Sequence, residues 1–197
     1  MSDTQTTSTP ATALDAAAAD LTPFAPITAE ARTAKLAGLG AWAAGIVAEP
    51  QKAALNVRVV GHGAGSVGSV YAASGHRLVV DEPAALGGDG LAPNPVEFAL
   101  TALLSCQVVT YRVWAEKLGI TLDTIEVSAD GELDVRGFLG LDDAVRPGFQ
   151  GITVSVRVSG PETEERYRAL QDAVEAHCPV GDLFANPTPL RSELIVD

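Results

Sequence analysis

The reading of the fold turns on PVEFALTALLSCQVVTYRVWAEKLG, residues 95–119. Pro95 suits the first turn of a helix, Glu97 favours the positive end of its macrodipole and Lys117 the negative end, and Gly119 can supply a left-handed cap. The stretch predicts a helix of about six turns. From Phe98 to Trp114 it is apolar almost all round, as in a membrane span or a helix packed in the middle of a domain. Glu97, Gln107, Arg112 and the modest length favour the soluble, buried reading.

Working outward, residues 121–133 alternate, with Ile125, Val127 and Ala129 against Glu126, Ser128 and Asp130. Residues 152–158 do the same, with Ile152, Val154, Val156 and Val158 on one face. Two strands flanking residues 136–151 are expected. Residues 160–177 predict an amphipathic helix with Tyr167, Leu170 and Val174 on one stripe, running to His177 and Cys178. Pro179 interrupts it, and a β-like run over residues 190–196 closes the chain.

Upstream, residues 81–95 hold Pro83, Gly87, Gly88, Gly90, Pro93 and Pro95, which demands a loop. Residues 54–80 read as an antiparallel meander: Leu55, Val57 and Val59 alternate, then two short β-prone runs over 67–71 and 78–80 are separated by glycine turns. Residues 27–47 read as an Ala-rich helix with Thr28 as N-cap and Pro50 after it. Residues 1–26, rich in Ala, Thr, Ser, Asp and Pro, read as a disordered arm. The expected organisation is an arm over 1–26, a helical extension over 27–50 and one domain over 51–197. The fold class is α+β, with helices on one side of largely antiparallel sheet.

The 197 residues carry 13 Lys+Arg against 25 Asp+Glu, a formal charge of −12, and 47% are hydrophobic. That supports a sizeable core and argues against nucleic acid or anionic lipid as a partner, since phosphate binding needs clustered positive charge. Residues 1–10 contain neither Lys nor Arg nor an apolar run, so a cytoplasmic protein without signal or transit peptide is expected.

The chemistry-bearing residues are two cysteines, Cys106 in the long helix and Cys178 at the end of the second. They are too few for a disulfide scaffold and not spaced as CxxC, so structural zinc is not expected. No spacing among His62, His76, His177 and the thiols supports another metal, and no cofactor is expected. The glycines of GHGAGSVGS lie between strands rather than before a helix, unlike a phosphate loop. If the two helices pack together, the thiols come within disulfide reach despite 72 residues of separation. Such a couple suits peroxide reduction: a thiolate becomes a sulfenic acid and condenses with the second thiol to a disulfide, which an external dithiol reopens. The blander reading is that both cysteines only fill the core.

Cys106 is the better attacker if Cys178 feels the negative end of its helix, unless Pro179 opens a new turn. A cation must then serve Cys106, and His62, Arg58, Arg77, His76 and His177 are available. Glu97 can orient such a cation. It lies about 13 Å of rise and half a turn from Cys106, so it would act from a second chain or through an intervening group. Glu97 also reads as a plain first-turn charge, His177 as a helix C-terminal cation, and His62 as a residue of a glycine turn.

DEPAALGG (81–88), NPVEFALTALLSC (94–106), RGFLGLDDAVRPGFQGI (136–152) and HCPVGDLFANPTPL (177–190) together resemble the OsmC/Ohr family of osmotically inducible and organic hydroperoxide resistance proteins. The resemblance implies an intertwined α+β homodimer, with sheets wrapped around two main helices and, here, an extra N-terminal helix. It implies that Cys106 reacts with an organic hydroperoxide and Cys178 resolves the product, with Glu97 and His62 completing the site. Peroxidase members carry an arginine in the early glycine turn, where this chain has His62 nearest, and an acid one residue earlier than Glu97. The rival reading is a catalytically weak dimer that binds a small apolar or electrophilic molecule in the same cavity.

Overall fold

The computed structural model describes residues 24, 25 and 27–196; the arm expected over 1–26 otherwise lies outside them. The extension is two helices where one was expected, α1 (Ala29–Leu36) and α2 (Gly38–Ala48), broken at Ala37. Thr28 caps α1 by accepting the Ala31 N–H. Pro50 opens a short 3-10 turn, Pro50–Ala53. The Arg32 guanidinium donates to the Leu122 carbonyl and the Thr33 hydroxyl to Glu116, so α1 is tied to the body of the chain. By contrast α2, without a charged residue, leaves Trp42 and Val47 exposed.

The meander is β1 (Val60–Ala64), β2 (Gly68–Ala73) and β3 (His76–Val80), antiparallel in that order. The alternation over 55–59 does not form a strand, and Leu55, Val57 and Val59 are exposed. Among the described residues no strand lies beside them, and alternation alone does not supply the partner a strand needs. Asp81 closes the following loop: buried, it accepts the N–H groups of Asp89 and Leu91 through one oxygen, both at 3.1 Å. Those donors, Leu91 first, hold its carboxyl below the usual carboxylate range.

Then comes α3 (Pro95–Leu118), 24 residues long. Asn94 accepts the Glu97 N–H at 2.9 Å, and the Glu97 carboxylate accepts the Asn94 N–H at 2.8 Å, a reciprocal capping box. At the other end Gly119 adopts φ 60°, the left-handed conformation that a residue with a side chain resists. The helix is not buried all round, as its composition suggested. Leu103, Thr110, Tyr111 and Ala115 are buried, Val109 is 61% exposed, and only 22% of its most apolar eighteen residues are buried within the chain.

Two long strands follow, β4 (Thr124–Glu132) and β5 (Gly151–Ser159), paired antiparallel around the short helix α4 (Val135–Phe138). Ile125 faces Val158, Val127 faces Val156 and Ala129 faces Val154, which puts one apolar face on the helices. Across the other face Glu126 stands opposite Arg157. Last come α5 (Glu164–His177) and α6 (Pro179–Ala185). Residues 190–196, expected as a strand, are irregular, with Leu190, Leu194, Ile195 and Val196 exposed.

The core gathers Tyr111 and Ala115 of α3, Ile120 and Leu122, and Leu170 and Val174 of α5, the last two at 0% exposure. Cys178 belongs to this cluster and Cys106 packs against it. Leu170→Ala should therefore cost about 3 kcal/mol in urea unfolding, whereas Asn94→Ala, which removes only a cap, should cost about 1 kcal/mol.

Candidate thiol site

Cys178 stands at a junction, closing α5 and capping α6. The sequence reading placed it at a helix C-terminus, yet Pro179 occupies the first turn of a new helix and Asp182 follows in the same turn. The Gly181 N–H donates to the Cys178 sulfur at 3.3 Å. A Cβ at Gly181 would stand 3.2 Å from the Cys178 Cβ and 3.4 Å from Sγ, so a larger residue there would press on the Cys178 side chain.

Cys106 comes to the same point from the middle of α3. Cys106 packs against the cluster that holds Cys178, near enough for the two thiols to influence each other electrostatically, and Thr110, one turn beyond Cys106, neighbours Cys178 as well. Thr110 is held there, since its Oγ1 donates to the Cys106 carbonyl at 2.8 Å. Exposure separates the sulfurs: Cys178 is 2% exposed and Cys106 half-buried. Burial raises the Cys178 thiol above the ordinary range; the neighbouring Cys106 adds to this, against the opposing pull of the Gly181 N–H and the Thr110 hydroxyl. Its neutral form is the one the core favours.

Beside Cys178 opens a cavity of about 1300 Å³, walled by Leu103 and Gln107 of α3, Phe149 and Ile152 near the start of β5, and His177 and Phe184, while Cys106 is not among its lining residues. The His177 ring stacks on Trp114 with centroids 4.1 Å apart, while Lys117 lies over the other ring of that pair, 4.4 Å from the Trp114 centroid. With Nδ1 2.7 Å from the Ala173 carbonyl, the imidazole donates through that nitrogen. Arg146, which the sequence reading passed over, lines the same cavity. Nothing local marks it, because the cavity it lines exists only after folding.

Glu97 and His62 lie elsewhere within one chain. The Glu97 carboxylate is engaged in the capping box at the start of α3. His62 is exposed on β1, opposite Val70, and lines a separate depression of about 460 Å³ with His76 and Arg77. Among the described residues no three His, Cys, Asp or Glu side chains converge as a metal would require.

A family model described as OsmC-like protein matches residues 87–193, more than half of the chain. No curated protein sequence matches it. Among solved structures, an OsmC-like protein from Mycoplasma pneumoniae superposes with a TM-score of 0.59 at 14% identity, covering 66% of this chain and 88% of that one. An organic hydroperoxide resistance protein OsmC from Legionella pneumophila gives 0.52 at 19% identity over 66% and 89%. An OsmC-like protein of unknown function from Vibrio cholerae gives 0.51 at 12% over 66% and 94%. At these identities the likeness is one of fold.

The raised Cys178 thiol has a signed consequence. As pH climbs past about 8.5, where an unfolded-chain thiol ionises, the unfolded state gains a charge that the core refuses, and stability falls. Urea unfolding of the reduced protein at pH 7.5 and 9.5 should show a larger loss for the wild type than for Cys178→Ala.

Proposed function

The chain belongs to the OsmC-like protein family, and from that premise we propose that it is a thiol-dependent peroxidase reducing organic hydroperoxides. The observation that carries this reading is the packing of two thiols, 72 residues apart in sequence, into one cluster, with a broad cavity opening beside Cys178. The family's hydroperoxide resistance members, such as the Legionella relative, support the substrate class.

Chemically, the accessible sulfur is the attacker and the sealed one the resolver. Cys106 as thiolate attacks the distal oxygen of ROOH; the O–O bond breaks, the alkoxide takes a proton to leave as ROH, and Cys106 becomes a sulfenic acid. Cys178 loses its proton and attacks that sulfur, the S–O bond breaks with release of water, and a disulfide remains. An external dithiol exchanges with the disulfide and restores both thiols. The neutral preference of Cys178 suits a resolver, because it leaves Cys106 free of a second negative charge at the moment of attack.

The working unit in this proposal is a homodimer. The uncovered side of α3 and the apolar, unpaired segments 55–59 and 190–196 are surfaces that a second chain would bury. In such a pair, His62 and Glu97 would meet the sulfurs across the subunit boundary. Their separation from the thiols within one chain favours the rival reading, a weak dimer that merely binds a ligand, and the same experiment decides between them.

Reduced protein treated with one equivalent of an alkyl hydroperoxide should lose both thiols within seconds. Cys106→Ser should abolish turnover, and Cys178→Ser should leave a sulfenic acid that dimedone traps; thiols that persist would exclude the peroxidase and leave the binder or a pair that only fills the core. In sedimentation the wild type should run as two chains, and Val109→Lys, which puts a charge on the bare face of α3, should shift it toward one.

A further inference from the structure

Away from the thiols, two arginines meet where the helical extension rests on the body of the chain. Arg112 of α3 donates to the Leu122 carbonyl at 2.6 Å, and Arg32 of α1 donates to the same oxygen at 3.4 Å. Two guanidinium groups thus converge on one point from two elements. Both side chains are half-buried, and they line a pocket of about 270 Å³ together with Thr33 and Leu36 of α1 and with Glu116 and Leu122. Each fork carries five N–H donors, of which the shared carbonyl takes one apiece, so most of the donors at this seam are unused within the described residues.

No carboxylate of the chain answers them. Arg136, Arg166 and Arg168 each pair with an acid, whereas neither Arg32 nor Arg112 has an ion-pair partner among the described residues. Burial, and after it the charge of Arg32, pushes the Arg112 guanidinium below its ordinary range, while Asp123 pulls the other way. The acid in the pocket wall, Glu116, is turned to α1: its Oε2 accepts the Thr33 hydroxyl at 3.0 Å, and its other oxygen accepts nothing among the described residues. An incoming anion therefore meets two cations and one carboxylate. A planar carboxylate ligand fills a single fork, whereas a tetrahedral anion presents oxygens to two forks at once. Glu116 then separates one tetrahedral anion from another. Hydrogen phosphate can donate its hydroxyl to the free carboxylate oxygen, but sulfate keeps no proton near neutral pH and is repelled by it.

We propose that Arg32 and Arg112 bind hydrogen phosphate in this pocket, with Glu116 accepting a hydrogen bond from its hydroxyl, and that the bound ion fastens α1 to α3. Helix α1 has no buried residue, so much of its attachment falls to polar contacts across this seam, and an anion gripped from both sides adds to them. The site is separate from the thiols and does not depend on their chemistry.

Inorganic phosphate titrated calorimetrically into the full-length protein at pH 7.5 should bind saturably. Sulfate, and glycerol phosphate, an ester almost fully deprotonated at that pH, should bind about tenfold or more weakly, as the loss of one charge-assisted hydrogen bond predicts. Arg32→Gln should weaken phosphate about tenfold, and Arg32→Lys should retain part of the affinity. Arg112→Gln carries the same expectation but also uncaps the Leu122 carbonyl, so Arg32→Gln is the deciding variant. Glu116→Gln, which leaves Thr33 an acceptor and removes the charge, should bring sulfate level with phosphate. Hydrogen exchange supplies a second readout. Phosphate should slow amide exchange over residues 29–36 in the wild type and not in Arg32→Gln, while amides of α5 respond equally in both, which controls for the general stabilising effect of phosphate salts. The proposal would be overturned by any of four results: no saturable phosphate binding, sulfate or glycerol phosphate binding as tightly as phosphate, an affinity indifferent to Arg32→Gln, or exchange over 29–36 that saturating phosphate leaves unchanged. A gap between phosphate and sulfate that persists in Glu116→Gln would overturn it as well.

Discussion

The approach of Cys106 to Cys178 depends on one packing event, the seating of α5 against the middle of α3. A thiol–thiol contact is too weak to hold two helices together, whereas burying a side chain such as Leu170 or Val174 contributes about 2 kcal/mol. The core therefore sets the geometry, and the sulfurs inherit it. Cys178 is further constrained because it ends one helix and caps the next, so that it cannot shift without disturbing α5, α6 or both. Thr110 completes the arrangement from α3, one turn below Cys106, with its own hydroxyl tied to the Cys106 carbonyl.

Much of this framework was legible in the sequence, for reasons that differ by element. The long helix was readable because Pro95, Glu97, Lys117 and Gly119 are local signals at its two ends. The pairing of β4 with β5 was readable because both strands alternate and their partner lies in the same chain. Residues 55–59 and 190–196 alternate or run apolar equally well, yet neither forms a strand here. A period of two says which side chains share a face; it says nothing of what will lie alongside. The nearly all-round apolarity of α3 is a signal of the same kind: it predicts burial without saying what covers the helix, and one side is bare within this chain.

The thiol site was legible only in outline. Two cysteines on packing helices were enough to expect a meeting, and the stripe Tyr167, Leu170, Val174 pointed to the face that makes it. Pro179 is legible both as a breaker of one helix and as the opening of a new turn, and the structure has the second, with Cys178 as its cap and Asp182 in the first turn. Glu97 was weighed both as a first-turn charge and as a site residue; its reciprocal bond with Asn94 shows the first role directly in one chain. Arg146 had no sequence signal at all, because an isolated cation in a loop says nothing of the cavity that folding sets beside it.

The central claim is that the two sulfurs of a single chain form one redox couple without rearrangement of the core. Peptide mapping of the oxidised protein by mass spectrometry, with an equimolar mixture of isotope-labelled and unlabelled chains, tests it most directly. The account predicts a Cys106–Cys178 linkage joining peptides of the same label only, with no covalent dimer on a non-reducing gel. Mixed-label linkages, or cysteines oxidised singly with no bond between them, would contradict it.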